Sequence, residues 1–275
     1  MLHFANYNGK LISADEPIVG AANRGLRYGD GLFETMKVVD SKLRFDEFHF
    51  ERLFTGLALL KFILQPYFTP EYLKEQIFAL LKKNKLTTAR VRLNVFRKNG
   101  GLYDSLDNMP DFVIECGRLP ENHCQINQKG LVIDVYDECL KACDRFSAIK
   151  SNNFLPYVMA ALHARERKID DCLVLNTNGR ICDATIANVF WAKGEKIYTP
   201  PLTEGCISGV MRRQLLEILP RRGYLVEERM LQIADLDTAD ELFLTNALTG
   251  IRWVGEFRER RYQNLITQRI YALIG

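Results

Sequence analysis

The apolar residues of this chain follow two periods, one typical of helices and one typical of strands. An i, i+3, i+4, i+7 spacing marks amphipathic helices, because such residues share one helix face. The predicted inward faces are Phe50, Leu53, Phe54 and Leu57; Leu73, Ile77, Leu80 and Leu81; Leu155, Val158, Met159 and Leu162; Met211, Leu215, Ile218 and Leu219; and Tyr262, Leu265, Ile266 and Ile270. Alternation and short apolar runs predict strands at 91–95, 111–116, 131–136 and 241–245, and two more within 173–191.

Turn and capping residues mark several boundaries of these elements. Asn8-Gly9 is a favoured two-residue turn, so the first residues are predicted to form a hairpin. Thr69-Pro70 supplies a cap followed by a first-turn proline. Asn152 and Asn153 are candidate caps of the helix that follows them, and the helix that begins near 210 is expected to end before Pro220.

Composition limits the functional classes. The 275 residues are 47% hydrophobic and 26% charged, as in ordinary soluble globular proteins. A formal charge of +3 is too weak to indicate a nucleic-acid or membrane-surface partner. No apolar run approaches the roughly 20 residues of a membrane span, and the N-terminus lacks the order of a signal peptide, so a cytoplasmic location is expected. Seven scattered cysteines indicate reduced thiols, and no metal site is predicted.

Lys150 lies in Arg145–Pro156, between an apolar segment and the start of a predicted helix. The position predicts partial shielding from water. A lysine there is either a solvated surface residue or a desolvated amine, with its pKa lowered from about 10.4, that can act as a nucleophile. The local pattern leaves both interpretations open.

Four other features carry polar chemistry. A stretch with glycines at 25, 29 and 31 is either a connector or a place of close ligand approach. The loop from Arg97 to Tyr103 is most simply a solvated turn, although its two cations could meet an anionic substrate. Asp183 lies in an apolar strand region, and the pattern alone favours an orientation toward solvent; if buried, the carboxylate must be paired or neutralised. Ser208-Gly209 begins a helix whose first amide groups could attract phosphate.

Taken in order, five blocks of sequence are distinctive. They are Tyr28–Glu34, Lys150, the region from Asn178-Gly179 to Phe190, Gly205–Arg212 and Asp240–Asn246. Their order resembles the class IV (fold type IV) family of pyridoxal-phosphate-dependent aminotransferases and lyases, over essentially the whole chain. The family includes branched-chain aminotransferases, D-amino acid aminotransferases and aminodeoxychorismate lyases.

The resemblance implies an α/β, two-lobed fold with pyridoxal 5'-phosphate in the cleft between the lobes. A smaller N-terminal α/β lobe is expected at 1–118, a connection at 119–130, and a larger C-terminal lobe that binds the cofactor at 131–275. The subunits are expected to pair as a homodimer, and the partner is expected to be a small-molecule amine or amino acid.

The resemblance also implies roles for individual residues. Lys150 matches the lysine that attaches the cofactor and moves the substrate proton, and Arg52 matches the arginine that binds the phosphate. Asp183 stands where the family usually has a glutamate that keeps the pyridine nitrogen protonated. The expected phosphate-binding helix start is formed by Ser208, Gly209, Val210 and Met211. The expected substrate-binding residues are Arg24, Arg27, Tyr28, Arg97 and Asn246.

Two departures from the family pattern bear on the reaction. Branched-chain aminotransferases have a tyrosine at the position of Leu155 and a phosphate-binding threonine at that of Ala247. Asn246-Ala247 and Phe190-Trp191 are instead similar to aminodeoxychorismate lyases, although Leu102 replaces the second arginine of some lyases. The resemblance therefore favours conversion of 4-amino-4-deoxychorismate to 4-aminobenzoate and pyruvate in folate synthesis. The alternatives are transamination of a branched-chain or D-amino acid with 2-oxoglutarate, and a non-catalytic vitamin-binding relative.

Overall fold

In the computed structural model, which describes residues 4–119 and 125–274, the chain divides into two units of mixed α/β structure. The described residues up to 119 form the first unit together with the short segment Ile149–Asn153. The remaining described residues form the second. The lobe boundaries expected from the sequence stay predictions, but one detail differs from them, because Lys150 packs with the first unit and not with the C-terminal residues around it.

The first unit contains an antiparallel sheet and three helices. The strand order is β2-β1-β6-β5-β3-β4. The strands are β1 (Phe4–Tyr7), β2 (Lys10–Ser13), β3 (Gly31–Val39), β4 (Lys42–Leu43), β5 (Ala89–Arg97) and β6 (Pro110–Gly117), and the helices are α1 (Arg24–Tyr28), α2 (Asp46–Leu59) and α3 (Pro70–Lys83).

Local sequence signals explain most of these elements. Asn8 and Gly9 both have positive φ, 50° and 84°, as the turn of a two-residue hairpin requires. The Thr69 side chain accepts a hydrogen bond from the Tyr72 amide and so caps α3. The predicted inward faces of α2 and α3 belong to the buried core of this unit, which confirms both periodicities. The short helix α1 was not predicted; it is capped by Asn23 and ends at Gly29.

The Lys150 segment extends the sheet beside the start of β3. The Phe33 amide donates to the Lys150 carbonyl at 2.9 Å, and the Asn152 amide donates to the Gly31 carbonyl at 2.9 Å. The short strand β4 pairs only with the far end of β3. The near end therefore has an unpaired edge where the lysine segment adds two main-chain hydrogen bonds.

Two glycines allow the lysine segment to come this close. A Cβ on Gly31 would lie 2.3 Å from the Val95 carbonyl oxygen and 2.7 Å from Nδ2 of Asn152. Gly29 has φ 63°, and a Cβ there would lie 2.5 Å from Oδ1 of Asn153. Both asparagines thus pack on the glycine turn, and neither caps the next helix, whose N-cap position is taken by the residue after them. The capping prediction was wrong because tertiary packing uses these side chains.

The second unit is built on a mixed nine-stranded sheet. Its order is β12-β11-β10-β13-β14-β7-β8-β9, with β15 paired to β14; the pairs β11–β12, β14–β7 and β7–β8 are parallel. The strands are β7 (Leu131–Lys141), β8 (Asp171–Asn176), β9 (Ile181–Ala184), β10 (Asn188–Lys193), β11 (Lys196–Thr199), β12 (Leu225–Glu228), β13 (Glu241–Asn246), β14 (Gly250–Phe257) and β15 (Arg260–Arg261). The helices are α4 (Leu155–Arg167), a 3₁₀ turn (Leu202–Glu204), α5 (Val210–Arg221), α6 (Ile233–Thr238) and α7 (Leu265–Ile274).

Helix α4 turns a different face inward from the predicted one. Tyr157, Ala160 and Ala164 are buried in the cluster that α4 forms with the sheet. The alanines allow the helix to approach strands β7 and β8 closely. The stripe predicted to be buried is instead exposed: Leu155 by 66%, Val158 by 49%, Met159 by 39% and Leu162 by 45%. This unit therefore presents an apolar helix face to its surroundings.

Two further helix predictions need correction. Helix α5 continues through Pro220 to Arg221, since proline falls in the last turn of the helix. In α7, Leu265 is 61% exposed, whereas Thr267 is fully buried because its hydroxyl and amide donate to the Glu241 carboxylate. The polar residue Thr267 therefore lies on the inward face of α7, where the apolar periodicity had predicted Leu265.

No helix in the described ranges combines the length and apolar character that crossing a bilayer requires. The six cysteines in those ranges are free thiols.

Candidate active site

Asp183 is a buried carboxylate of the second unit with four hydrogen-bond donors around it. It lies in β9 and is 1% exposed. Oδ2 accepts from Lys141 Nζ at 3.1 Å, the Tyr157 hydroxyl at 2.7 Å and the Ile207 amide at 3.0 Å, and Oδ1 accepts from Asn188 Nδ2 at 2.9 Å. The expectation that this side chain points to solvent was wrong, because the fold supplies four donors that no local pattern shows.

The surroundings of Asp183 keep the Tyr157 hydroxyl in its donating form. Burial, and after it the negative charge of Asp183, raise the pKa of Tyr157 well above its usual value, so the hydroxyl stays protonated. Lys141, whose side chain is 10% exposed, supplies the positive charge that a buried carboxylate needs. Lys141 and Tyr157 lie 42 and 26 residues from Asp183, and no sequence signal connected them to it.

The start of α5 lies beside this carboxylate. Its N-cap position is Gly209, which has an extended backbone and forms no side-chain cap. The amide groups of the first turn therefore point out of the helix end and are not capped by a side chain. A Cβ on Gly209 would lie 1.8 Å from Oδ1 of Asn188, which explains why this position is a glycine. Asn188 Nδ2 also donates to the Ile207 carbonyl at 2.8 Å. The structure thus places Asp183 near the start of α5, and the cofactor-binding roles of Ser208–Met211 stay predictions.

A second polar cluster occupies the first unit. Arg52 Nε donates to Glu34 Oε1 at 2.7 Å, and Arg52 Nη2 donates to Oε2 at 2.5 Å. His49 Nδ1 lies 2.7 Å from the same Oε2. Burial by itself raises the pKa of Glu34, but the Arg52 charge and the His49 hydrogen bond outweigh it and lower that pKa to about 2. His49 was not predicted as a site residue. The feature of the sequence that could have indicated it is its position one helical turn before Arg52.

Lys150 is half-buried, which confirms the expected partial shielding. Its Nζ lies 4.4 Å from the centroid of the Phe33 ring. The Arg92 guanidinium lies 3.9 Å from the centroid of the same ring. A cation over an aromatic face is attracted by the ring quadrupole, so Phe33 helps to hold the lysine side chain.

Two of the predicted substrate cations are bound within the protein. Arg24 and Arg97 both donate to Asp30 Oδ2 through Nε, at 2.8 and 3.0 Å. Arg97 is 7% exposed at the end of β5, so the expectation that it lies on a solvated loop was wrong. The other guanidinium contacts are those of Arg24 with the carbonyls of Gly100, Leu102 and Tyr103, and those of Arg97 with Asn108 and the carbonyl of Leu60. These arginines shape the 98–108 loop, and their contact with substrate stays a prediction.

The remaining predicted substrate residues differ in accessibility. Arg27 is exposed, and its Nε donates to the Ala21 carbonyl at 2.7 Å. Tyr28 is partly buried, and its ring centroid lies 5.7 Å from that of Tyr103. Asn246 ends β13, where Oδ1 accepts from the amides of Leu248 and Thr249 at 3.0 and 2.8 Å. The Asn246 side chain therefore organises the 246–250 turn.

Each unit thus collects its own share of the predicted residues. The first unit holds Arg52 and Lys150 near β3, and the second holds Asp183 and the start of α5. Asn188 lies opposite Thr245 in the β10–β13 register. Asn246, the last residue of β13, therefore comes directly after the residue that is paired with the Asp183 cluster. Within the described ranges no group of histidine, cysteine and carboxylate side chains is arranged to hold a metal ion.

Comparison with known proteins identifies the family. The sequence profile of the amino-transferase class IV family matches residues 31–257. The chain is 29% identical to the aminodeoxychorismate lyase of Vibrio harveyi over 85% of each chain. It is 27% identical to a putative branched-chain-amino-acid aminotransferase of Methanocaldococcus jannaschii, over 94% of this chain and 88% of that protein.

The fold agrees with that family. The branched-chain amino acid aminotransferase of Escherichia coli superposes with a TM-score of 0.88 at 22% identity, over 98% of this chain and 92% of that one. The described architecture is therefore that of fold type IV, the expected fold class. The chain belongs to the class IV aminotransferase family, whose enzymes act with pyridoxal phosphate.

Proposed function

We propose that the protein is a pyridoxal-phosphate-dependent lyase that converts 4-amino-4-deoxychorismate to 4-aminobenzoate and pyruvate in folate biosynthesis. The observation that carries this choice is the Asn246-Ala247 turn. Three donors saturate Oδ1 of Asn246, the amides of Leu248 and Thr249 and the Thr249 hydroxyl. The amide oxygen is thereby fixed in the turn, and the Nδ2 group becomes the part of Asn246 suited to a substrate carboxylate or carbonyl.

The residues present fit the cofactor. A phosphorylated pyridine aldehyde needs an amine, a phosphate site and a carboxylate near its ring nitrogen. Lys150 supplies the amine, and the uncapped start of α5 supplies amides for phosphate, with Gly209 admitting no side chain there. Arg52 is the proposed cationic phosphate ligand. When bound, pyridoxal phosphate supplies an aldehyde that joins to amines and a ring that accepts the electrons released at the substrate carbon.

Asp183 retains capacity to serve the ring nitrogen despite its four protein donors. Three of those donors share Oδ2, whereas Oδ1 accepts from Asn188 within the described chain. Because Oδ1 has fewer protein donors than Oδ2, Oδ1 is the proposed acceptor of the ring N–H. Lys141 and Tyr157 keep the short side chain in a single orientation.

The proton transfer is assigned to Lys150. Lys150 would hold the cofactor, and its Nζ would act as the general base that takes the proton from C4 of the substrate. The ether bond between the substrate ring and its enolpyruvyl group breaks, and that group leaves and takes up a proton to become pyruvate. The substrate ring becomes aromatic, which drives the reaction forward. The two substrate carboxylates need cations. Arg27 is the best placed of the predicted arginines because it is exposed, and one charge-assisted contact contributes about 1.5 to 3 kcal/mol.

The second candidate is transamination of a branched-chain or D-amino acid with 2-oxoglutarate. The match to a putative branched-chain aminotransferase over 94% of this chain supports it. The same Lys150 would then carry the substrate proton in that reaction. Leu155 weighs against this reaction, because a leucine exposed by 66% supplies no hydroxyl at a position where the family's branched-chain enzymes have tyrosine.

A direct comparison of products decides between the two. The purified holoenzyme is given aminodeoxychorismate in one reaction, and leucine or D-alanine with 2-oxoglutarate in the other. Formation of 4-aminobenzoate with little glutamate supports the lyase. If glutamate forms and 4-aminobenzoate does not, the lyase assignment is wrong and the aminotransferase takes its place.

A homodimer is part of the proposal. The apolar α4 stripe (Leu155, Val158, Met159 and Leu162) is exposed along two turns of helix, and such contiguous apolar faces are typical of association surfaces. A second copy carrying the same stripe forms a self-complementary contact about a two-fold axis.

A further inference from the structure

The Glu34 carboxylate accepts two hydrogen bonds from one edge of the Arg52 guanidinium. Glu34 is 1% exposed, and its two oxygens accept from Nε and Nη2 of Arg52 at 2.7 and 2.5 Å. Two parallel bonds of this kind fix the guanidinium plane as well as its position. Because the five N–H donors of arginine lie in one rigid fork, gripping the Nε edge also sets the direction of the Nη1 group.

His49 in turn fixes the carboxylate. Its Nδ1 lies 2.7 Å from Glu34 Oε2, and the imidazole has no exposed surface. An ionised carboxylate only accepts hydrogen bonds, so Nδ1 carries the proton in this contact. His49 and Arg52 are one turn apart on α2 and therefore reach Glu34 from the same helix face. His49 thus holds the Glu34 carboxylate, and Glu34 in turn holds the Arg52 guanidinium.

We propose that Glu34 and His49 are positioning residues that aim the Arg52 guanidinium at the phosphate group of the cofactor. This inference rests on the proposed role of Arg52 as a phosphate ligand. An unsupported arginine samples many rotamers, and ordering it on binding opposes affinity. A guanidinium that is held in advance meets the phosphate without that loss. Neither supporting residue touches the phosphate itself.

The competing explanation is that the three residues form a structural ion pair of the fold. The two explanations differ in one measurable respect. A support that acts through phosphate binding affects pyridoxal phosphate but spares pyridoxal, which lacks the phosphate. Damage to the fold weakens the binding of both compounds alike.

The experiment measures dissociation constants of pyridoxal phosphate and pyridoxal for the full-length chain, freed of cofactor, by fluorescence titration. Glu34→Gln keeps the shape but breaks the paired bond to Arg52. We expect it to weaken pyridoxal phosphate binding by about tenfold to a hundredfold, while pyridoxal binding changes less than about threefold. Arg52→Ala should lower the same preference, and the double variant Glu34→Gln/Arg52→Ala should lower it no further than Arg52→Ala alone. Glu47→Gln is the matched control, since Glu47 is exposed on the same helix.

His49 provides an independent pair of variants. Asparagine can place an amide donor near the position of Nδ1, whereas leucine cannot. His49→Asn should therefore keep more of the preference for the phosphorylated compound than His49→Leu, and this pair decides the matter if Glu34→Gln does not fold. Equal losses for both compounds in the Glu34 and His49 variants would overturn the proposal. So would an unchanged preference in Arg52→Ala. The result is independent of whether the reaction is a lyase or a transaminase reaction, because both use the same cofactor.

Discussion

The Tyr157 hydroxyl donates a hydrogen bond to Oδ2 of Asp183 at 2.7 Å, deep inside the second unit. Lys141 Nζ lies 3.1 Å from the same oxygen and 5.1 Å from the centroid of the Tyr157 ring. The carboxylate is therefore oriented by a neutral donor and balanced by a buried cation. This arrangement gives the short aspartate side chain a single orientation in the sheet.

The buried Lys141–Asp183 pair makes a stability prediction. Lys141→Met keeps the length of the side chain but leaves the carboxylate without its counter-charge. We expect the free energy of unfolding to fall by about 3 to 5 kcal/mol, the usual cost of breaking a buried pair from one side. Urea denaturation measures this. Lys196→Met is the control, since Lys196 and Glu227 are 46% and 51% exposed and solvent screens their pair, so its loss should change stability far less. Similar losses in the two variants would contradict the structural assignment.

Lys150 is expected to be indispensable for turnover. Lys150→Ala removes the amine that attaches the cofactor and the base that takes the substrate proton. The rate should fall by at least about 10²- to 10⁴-fold, the range of general-base contributions. Borohydride followed by mass spectrometry should fix the cofactor on the unmodified chain and not on the variant. The exposed Lys193 offers a control, because Lys193→Ala should keep both properties. A near-normal rate in Lys150→Ala would reject the assignment.

Glu34 predicts a specific pH dependence of stability. Its pKa is lowered from 4.5 to about 2 in the folded protein, a difference that corresponds to about 3 kcal/mol. A lowered pKa means that the folded state binds this proton less readily than the unfolded state. The contribution is therefore complete above about pH 4.5 and disappears as the pH falls toward 2. Denaturation of Glu34→Gln and the unmodified chain should differ by a constant amount at neutral pH and converge in acid. A difference that does not depend on pH would refute the paired carboxylate.

Position 209 is not expected to tolerate even the addition of one methyl group. In Gly209→Ala the new methyl group would lie 1.8 Å from Asn188 Oδ1, so either Asn188 or the start of α5 must move. We expect a loss of about 1 to 3 kcal/mol in stability, together with weaker cofactor binding. Gly20→Ala is the matched control, because a Cβ at Gly20 has no neighbour within 4 Å. Equal behaviour of the two variants in denaturation and cofactor titration would exclude the tight contact.

The α4 stripe predicts the oligomeric state. Met159→Lys and Leu162→Lys place charges in an exposed apolar face and should convert a dimer to a monomer without unfolding the chain. Light scattering after gel filtration measures the mass, and circular dichroism checks the fold. Ile63 is 60% exposed in the first unit, so Ile63→Lys serves as a control that should remain dimeric. A dimer that survives both α4 changes would show that a different surface joins the subunits.

Local sequence signals predicted the structure correctly where a turn or a cap depends only on a residue and its neighbours in sequence. The Asn8-Gly9 hairpin and the Thr69-capped helix α3 follow from turn and cap chemistry alone. The prediction failed at Asn152 and Asn153, which have good capping chemistry but pack against the glycine turn before β3. It failed again on α4, where Tyr157 and two alanines face the sheet and the predicted apolar stripe does not. In both cases packing between distant segments overrides a local preference.

The sequence by itself determined the family, the position of Lys150 before a helix and the start of a helix at Ser208–Met211, because these depend on the order and spacing of residues within short segments. Only the tertiary structure decided that Asp183 is buried among Lys141, Tyr157 and Asn188, that Arg24 and Arg97 share Asp30, and that Glu34 holds Arg52. Those partners are separated in sequence by 5 to 67 residues. Contacts made between different strands and helices leave no local periodicity, so their electrostatics exist only in the folded chain.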